Sequence, residues 1–190
     1  MTQLAVDDLL ARLWDELLTV PEDHLGEIVA GEIRLTPRPG PQHLRAAAGL
    51  GTLLGGPFGF GVGGPGGWVV LAEPRVRFLD DVRAPDLAAW RAERYAEPER
   101  GPYTVVPDFC CEILSPSTAA DDRGEKQPLY ARAGVRHLWL MDPAVKTLEV
   151  LRLEGDLWVV VHVFTGDAIA RAEPFDAVQL DLGAVRRGRG

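Results

Sequence analysis

The chain has 190 residues, 46% of them hydrophobic, and 20 basic residues against 28 acidic ones give it a net charge of -8. That length suits one domain with a substantial core. The acidic balance excludes a protein that holds nucleic acid by bulk electrostatics, while leaving room for phosphate contact through a local patch or a metal ion.

The opening stretch "MTQLAVDDLLARLWDELL" has apolar residues at Leu9, Leu10, Leu13, Leu17 and Leu18, which is helical spacing, and it stops before Pro21. It lacks the basic region and apolar core of a secretion signal, and nowhere does a run approach the roughly 18 apolar residues of a membrane helix. The expected compartment is therefore the cytoplasm, with no membrane contact. "EIVAGEIRLTP" reads as two short strands about Ala30-Gly31, and "PQHLRAAAGLGTLLGG" as a second helix ending in glycines. Residues 55–67, rich in Gly and Pro, are expected to form a loop before the strand "WVVLAEPRVRF".

A short strand "DLAAW" follows Pro85, residues 91–106 form a charged connection, and 108–114 is an apolar strand. A helix within 122–134 leads to the strand "VRHLWLMD", and "TLEVLRL" and "DLWVVVHVF" flank Gly155-Asp156 as a hairpin. The tail "RRGRG" reads as disorder. The order helix, strand, strand, strand, helix, strand from residue 41 predicts an α/β (mixed α+β) layer structure. Cys110 and Cys111 are the only cysteines and leave their strand on opposite faces, so no disulfide framework is available and a reducing compartment is expected.

The strand Phe109-Cys110-Cys111-Glu112-Ile113-Leu114 places one carboxylate in an apolar run. An unpaired buried carboxylate costs several kcal/mol, roughly, so Glu112 must be protonated, paired or metal-bound. Asp86 at a strand start, Lys126 beyond the strand and Glu27 at the start of the early hairpin are the candidate partners. Lys126, Leu129, Tyr130 and Ala133 are spaced i, i+3, i+4, i+7, a stripe that aims the ammonium at the sheet. Two carboxylates on adjacent strands with a lysine nearby suit a hard divalent cation in phosphodiester hydrolysis. The competing reading pairs Glu112 and Asp86 with arginines such as Arg75 or Arg77.

The motifs "GEIVAGE" at 26–32, "PQH" at 41–43, "APDLA" at 84–88, "EILSPST" at 112–118, "DRGEK" at 122–126, "LYARAGV" at 129–135 and "LWLMDP" at 138–143 occur in an order that resembles the Uma2 family, a branch of the PD-(D/E)XK nuclease superfamily. The resemblance covers about residues 25–155 of one domain spanning 1–190, with residues 184–190 as a flexible tail. It implies a restriction endonuclease-like core, a twisted mixed sheet flanked by helices with an added C-terminal hairpin. It also implies an endonuclease that hydrolyses phosphodiester bonds in DNA with Mg²⁺, or with Mn²⁺ in its place. Asp86 and Glu112 would be the metal acids, the Ile113 carbonyl a further ligand, and Lys126 the catalytic lysine. Glu27 would lie beside the site to orient the lysine or metal, with Gln42 and His43 as a polar pair. A homodimer follows by analogy, since cutting both strands often needs two sites.

This chain departs from the pattern in three places. Leu114 stands where the superfamily's usual lysine would be, Ala30-Gly31 replaces the family's Asp-Gly turn, and Pro128 sets the helix to begin near Gln127 with Lys126 just ahead of it. The letters G-x-G-x-x-G at 59–64 lead into a strand rather than a helix, so no nucleotide cofactor is expected. Arg34, Arg38 and Arg45, and four basic residues within 123–136, predict a positive rim around an acidic centre, while Arg186, Arg187 and Arg189 read as a solubilising tail, with a weak phosphate contact as the alternative. The alternative function is a non-catalytic DNA- or protein-binding regulatory module that keeps the nuclease fold.

Overall fold

The computed structural model describes residues 2–186. Helix α1 (Gln3–Leu17) precedes the hairpin β1 (His24–Val29) and β2 (Glu32–Pro37), and α2 (Pro41–Leu54) runs into a π-helical turn at Gly55–Gly59. Strands β3 (Trp68–Ala72), β4 (Val76–Phe78), β5 (Asp81–Arg83), β6 (Leu87–Arg91) and β7 (Phe109–Ile113) follow. Helix α3 (Ala119–Asp121), a second π turn (Asp122–Lys126) and α4 (Gln127–Ala133) make one continuous helical segment leading to β8 (His137–Asp142). The chain continues through β9 (Thr147–Glu154), β10 (Leu157–Thr165), β11 (Ile169–Ala170), β12 (Leu180–Asp181) and α5 (Leu182–Arg186).

The main sheet has six strands in the order β10-β9-β8-β7-β6-β3, all antiparallel neighbours except the parallel pair β7 and β8. That parallel pair requires a crossover, and the helical segment α3 to α4 supplies it. The expected C-terminal hairpin is β9 and β10, which extends this sheet through β8. A four-stranded sheet, β2-β1-β5-β4, carries α1.

The single strand expected over 68–78 is two strands in two different sheets. Glu73 takes a positive φ of 48° next to Pro74, which cannot donate to a ladder, so the chain turns there and passes from one sheet to the other. The tail expected from residue 184 is corrected in part. Val185 is 1% exposed, and a Cβ on Gly49 would lie 2.9 Å from its Cα, so α5 packs closely on α2 through a glycine. Both readings of Arg186, Arg187 and Arg189, a solubilising tail or a weak phosphate contact, rest on side chains that lie outside what the structure describes.

Strand β7 alternates between two cores. Phe109, Cys111 and Ile113 face the cluster under α2, whereas Cys110 and Leu114 face the one that holds Leu129 and Tyr130 of α4. Glu112 shares the parity of Cys110 and Leu114, so its carboxylate points toward α4.

Candidate active site

Strands β6 and β7 pair Leu87 with Cys111. One step further brings Asp86 opposite Glu112 at the end of the ladder, where Glu112 turns to Tyr130 of α4 and Asp86 meets His43 of α2. Pro85 precedes Asp86, and β6 begins only at Leu87. The Asp86 side chain takes over where the ladder ends: its Oδ2 accepts the Ile113 N–H at 2.6 Å. N–H and C=O of one strand residue point to the same side, so the Ile113 carbonyl also faces Asp86.

Glu112 is 1% exposed. Lys126 Nζ donates to its Oε2 at 3.0 Å, and the Tyr130 hydroxyl donates to Oε1 at 2.5 Å. Burial pushes the Glu112 carboxyl up, more than the Lys126 charge pulls it down, and Asp122 and Asp86 push the same way. Lys126 itself is held well above the usual lysine range: burial opposes its charge, but Glu112, Glu27, Asp122 and Asp86 together outweigh burial. The ammonium therefore stays protonated and acts as a donor and a fixed positive charge.

Asp122 was not singled out in the sequence, and it belongs to this group. Its Oδ1 lies 3.1 Å from Lys126 Nζ, the residue is 2% exposed, and its Oδ2 is buried without a hydrogen-bond partner. Burial raises its carboxyl, with Lys126 pulling the other way. The i, i+4 spacing to Lys126 within "DRGEK" was the available clue.

His43, on the buried face of α2, places Nε2 3.1 Å from Asp86 Oδ2. Burial alone would lower its pKa, but the hydrogen bond and charge of Asp86 raise it, with Asp122 and Glu73 adding to the effect. Gln42 is exposed and does not join the group.

Glu27 is placed differently from Glu112. Its Oε1 accepts the Ala84 N–H at 2.8 Å and its Oε2 lies 3.2 Å from Arg83 Nη1. Arg83, 2% exposed, also reaches Asp81 at 3.3 Å, Asp121 at 3.5 Å and Glu125 at 3.2 Å. Glu27 thus ties β1 to β5, and through Arg83 to the helical segment that carries Lys126. Its charge reaches Lys126, though its direct partners are Arg83 and the backbone.

Glu27, His43, Asp86, Glu112, Asp122 and Lys126 all line one cleft of about 410 Å³ between the β1–β2 hairpin and the helical segment. The expected arginine partners of the acids lie elsewhere: Arg77 pairs with Asp7, and Arg75 stacks on Trp14. The expected positive rim is corrected in part, because three of its arginines meet acids. Arg34 pairs with Asp121 and Glu125, Arg38 with Glu73, and Arg123 with Glu149.

Among the described residues, no three His, Cys, Asp or Glu side chains are already arranged around one metal position. The donor set nevertheless fits a hard divalent cation. Three carboxylates, Asp86, Glu112 and Asp122, face the single ammonium of Lys126, and one buried carboxylate oxygen has no partner. The Ile113 carbonyl supplies a further hard oxygen on the Asp86 side.

A sequence profile of the family described as "Uma2: Putative restriction endonuclease" matches residues 14–183. A crystal structure described as "a putative nuclease belonging to DUF820 from Anabaena variabilis ATCC 29413" shares the fold, with a TM-score of 0.70 and 23% identity over 90% of this chain and 96% of that one. No curated protein matches the chain. Among the described residues, no helix is long and apolar enough to cross a membrane.

Proposed function

The chain belongs to the Uma2 family of restriction endonuclease-like proteins, and from that membership we propose that it is a metal-dependent endonuclease acting on DNA phosphodiester bonds. The observation that carries the reading is the meeting of Asp86, Glu112 and Lys126 in one cleft, with Lys126 reaching Glu112 from the helix after β7. Leu114 leaves the superfamily's usual lysine position empty of charge, and Lys126 fills that role from another element.

Asp86, Glu112 and the Ile113 carbonyl would hold Mg²⁺ or Mn²⁺, which when bound makes a water more acidic and offsets charge growing on the phosphate. Glu112 keeps lone pairs for this purpose while it accepts from Lys126 and Tyr130, because each carboxylate oxygen can accept twice. Lys126, locked in its protonated form, donates to a phosphate oxygen or orients the attacking water; it does not remove a proton. Asp122 anchors the other side of the ammonium and fixes where it points. Glu27 acts through Arg83, holding the helical segment against β5.

A specific observation favours a second reading, a regulatory module that retains the fold: the arginines near the cleft are already paired with acids in a molecule of net charge -8. Incubating the protein with single- and double-stranded DNA and Mg²⁺ or Mn²⁺ separates the two. Cleavage by wild type that drops at least about 10²-fold in Glu112→Gln supports the nuclease. Absence of cleavage, or equal cleavage by the variant, rejects it, and DNA or protein binding without cation uptake establishes the second reading.

A further inference from the structure

The longest uncharged segment of the chain runs from Ala46 to Ala72, between Arg45 and Glu73. It includes most of α2, the π turn at Gly55–Gly59, the glycine-rich loop after it and strand β3. At the tip of that loop Phe60 is 85% exposed and Val62 is 73% exposed.

The loop is not slack. Phe60 N donates to Gly55 O at 2.8 Å, Val62 N to Gly56 O at 2.9 Å and Gly66 N to Pro57 O at 2.9 Å. Gly61 and Gly63 take positive φ values of 69° and 74°, and a Cβ on Gly64 would sit 2.4 Å from Pro57 Cβ. The chain is built to hold two apolar side chains in water at a fixed place, so little conformational freedom is lost when they dock.

Beside this tip runs a groove of about 670 Å³ between α2 and β3, lined mainly by apolar side chains such as Leu44, Ala47, Val70 and Leu71, bounded by Phe60, with Glu73 and Asp86 also on its wall. Strand β3 is the outer strand of the six-stranded sheet, with β6 as its one neighbour there. An apolar knob, a mainly apolar groove and a strand edge therefore lie on one face. A two-fold contact needs this self-complementarity, because each copy must offer both halves.

We propose that this face is the interface between two copies of the chain, with Phe60 of each packing into the groove beside β3 of the other. Charge selects the occupant. Two molecules that each carry -8 repel, and they approach at least cost through the broadest charge-free stretch. Nucleic acid would find no lysine or arginine between residues 46 and 72 to meet its phosphates. The other exposed apolar edge, β10, has Val160 and Val163 on its surface. It is interrupted by a bulge between Val160 and His162, a device that blocks edge pairing, and its neighbour β9 carries Glu149, Arg152 and Glu154.

Sedimentation equilibrium of the full chain over a dilution series tests the proposal, and it reads mass, so it is independent of any nuclease activity. Wild type is expected at twice the chain mass. Phe60→Asp should weaken association by at least about 30-fold, the scale of an interface hot spot. The side chain is exposed, so the fold is spared, and circular dichroism confirms it. Val62→Asp should act in the same direction and Val160→Asp should have no effect. A wild type that is monomeric throughout, a dimer that Phe60→Asp leaves intact, or one broken by Val160→Asp instead would each overturn it.

Discussion

An ammonium shared by two carboxylates, as Lys126 is by Glu112 and Asp122, has to be stable in the resting protein and still face a reacting group. The two demands predict different outcomes for different substitutions. Lys126→Met leaves two buried acids without their cation and should cost about 3–5 kcal/mol of stability, the usual penalty for breaking a buried pair from one side. Asp122→Asn removes one anchor and one buried charge together, so denaturant unfolding should move by no more than about 1 kcal/mol. Its effect should fall on catalysis: with the ammonium held from one side only, kcat should drop about 10²-fold while KM changes little, as expected when a reacting group is misplaced. Single-turnover cleavage beside urea unfolding separates these effects. If kcat is unchanged in Asp122→Asn, Asp122 has no part in aiming Lys126.

The π turn at Asp122–Lys126 is the element that makes this arrangement possible. In a regular α-helix the ring of Pro128 would press on the carbonyl of Gly124 and one hydrogen bond would be missing. Widening the preceding turn lets α3, the turn and α4 run on without a break, so Lys126 sits inside a continuous helical segment rather than ahead of a helix. The buried stripe of Lys126, Leu129 and Tyr130 was legible from spacing, and so was the burial of Glu112 in β7. Asp122 was not, because a carboxylate in a stretch as charged as "DDRGEK" reads as a solvated helix start until the turn rotates it inward. The paired arginines were also hidden, since Arg34 and Glu125 are far apart in sequence and meet only when the β1–β2 hairpin folds over the helical segment.

That hairpin carries a local conflict. Ala30 adopts φ 51° and Gly31 φ 81°, a turn that favours glycine or asparagine at both positions, and the Ala30 N–H is held by Asp81 Oδ1 at 2.9 Å. Ala30→Gly should therefore raise stability, by about 0.5–1 kcal/mol, because relief of the left-handed strain exceeds the extra chain entropy of glycine. Thermal and urea unfolding report it, and a loss of stability would mean that the Asp81 contact already absorbs the strain.

Across the whole molecule, the buried groups of the cleft make stability depend on pH in one direction. Burial raises the carboxyls of Glu112 and Asp122. An acid whose folded pKa exceeds its unfolded value, about 4, binds its proton more tightly in the folded state. It contributes fully below the unfolded pKa and the contribution is lost as pH rises through the folded one. His43 has the same sign: burial opposes its charge but Asp86 raises its pKa, so its contribution is full below about pH 6.5 and fades above it. Glu125, shifted down by its bonds to Arg34 and Arg83, and His137, shifted down by burial, have the opposite sign; Glu125 is largely exposed and solvent screens it, and His137 is one group against the three of the cleft. Melting temperature should therefore be higher near about pH 5.5 than near about pH 8.

A divalent cation relieves the same excess of negative charge that protons relieve, so Mg²⁺ or Mn²⁺ should raise the melting temperature more near about pH 8 than near about pH 5.5. Self-repulsion at a net charge of -8 also falls on acidification and contributes in the same direction. Glu112→Gln isolates the contribution of that acid: it leaves the surface charge as it is, and it should reduce the pH dependence to the part that Asp122, His43 and the net charge supply and abolish the larger cation effect at the higher pH. Differential scanning fluorimetry of both proteins across pH, with and without the cation, measures all of this. A cation shift of equal size at both pH values, retained in Glu112→Gln, would show that the ion binds somewhere other than between these acids.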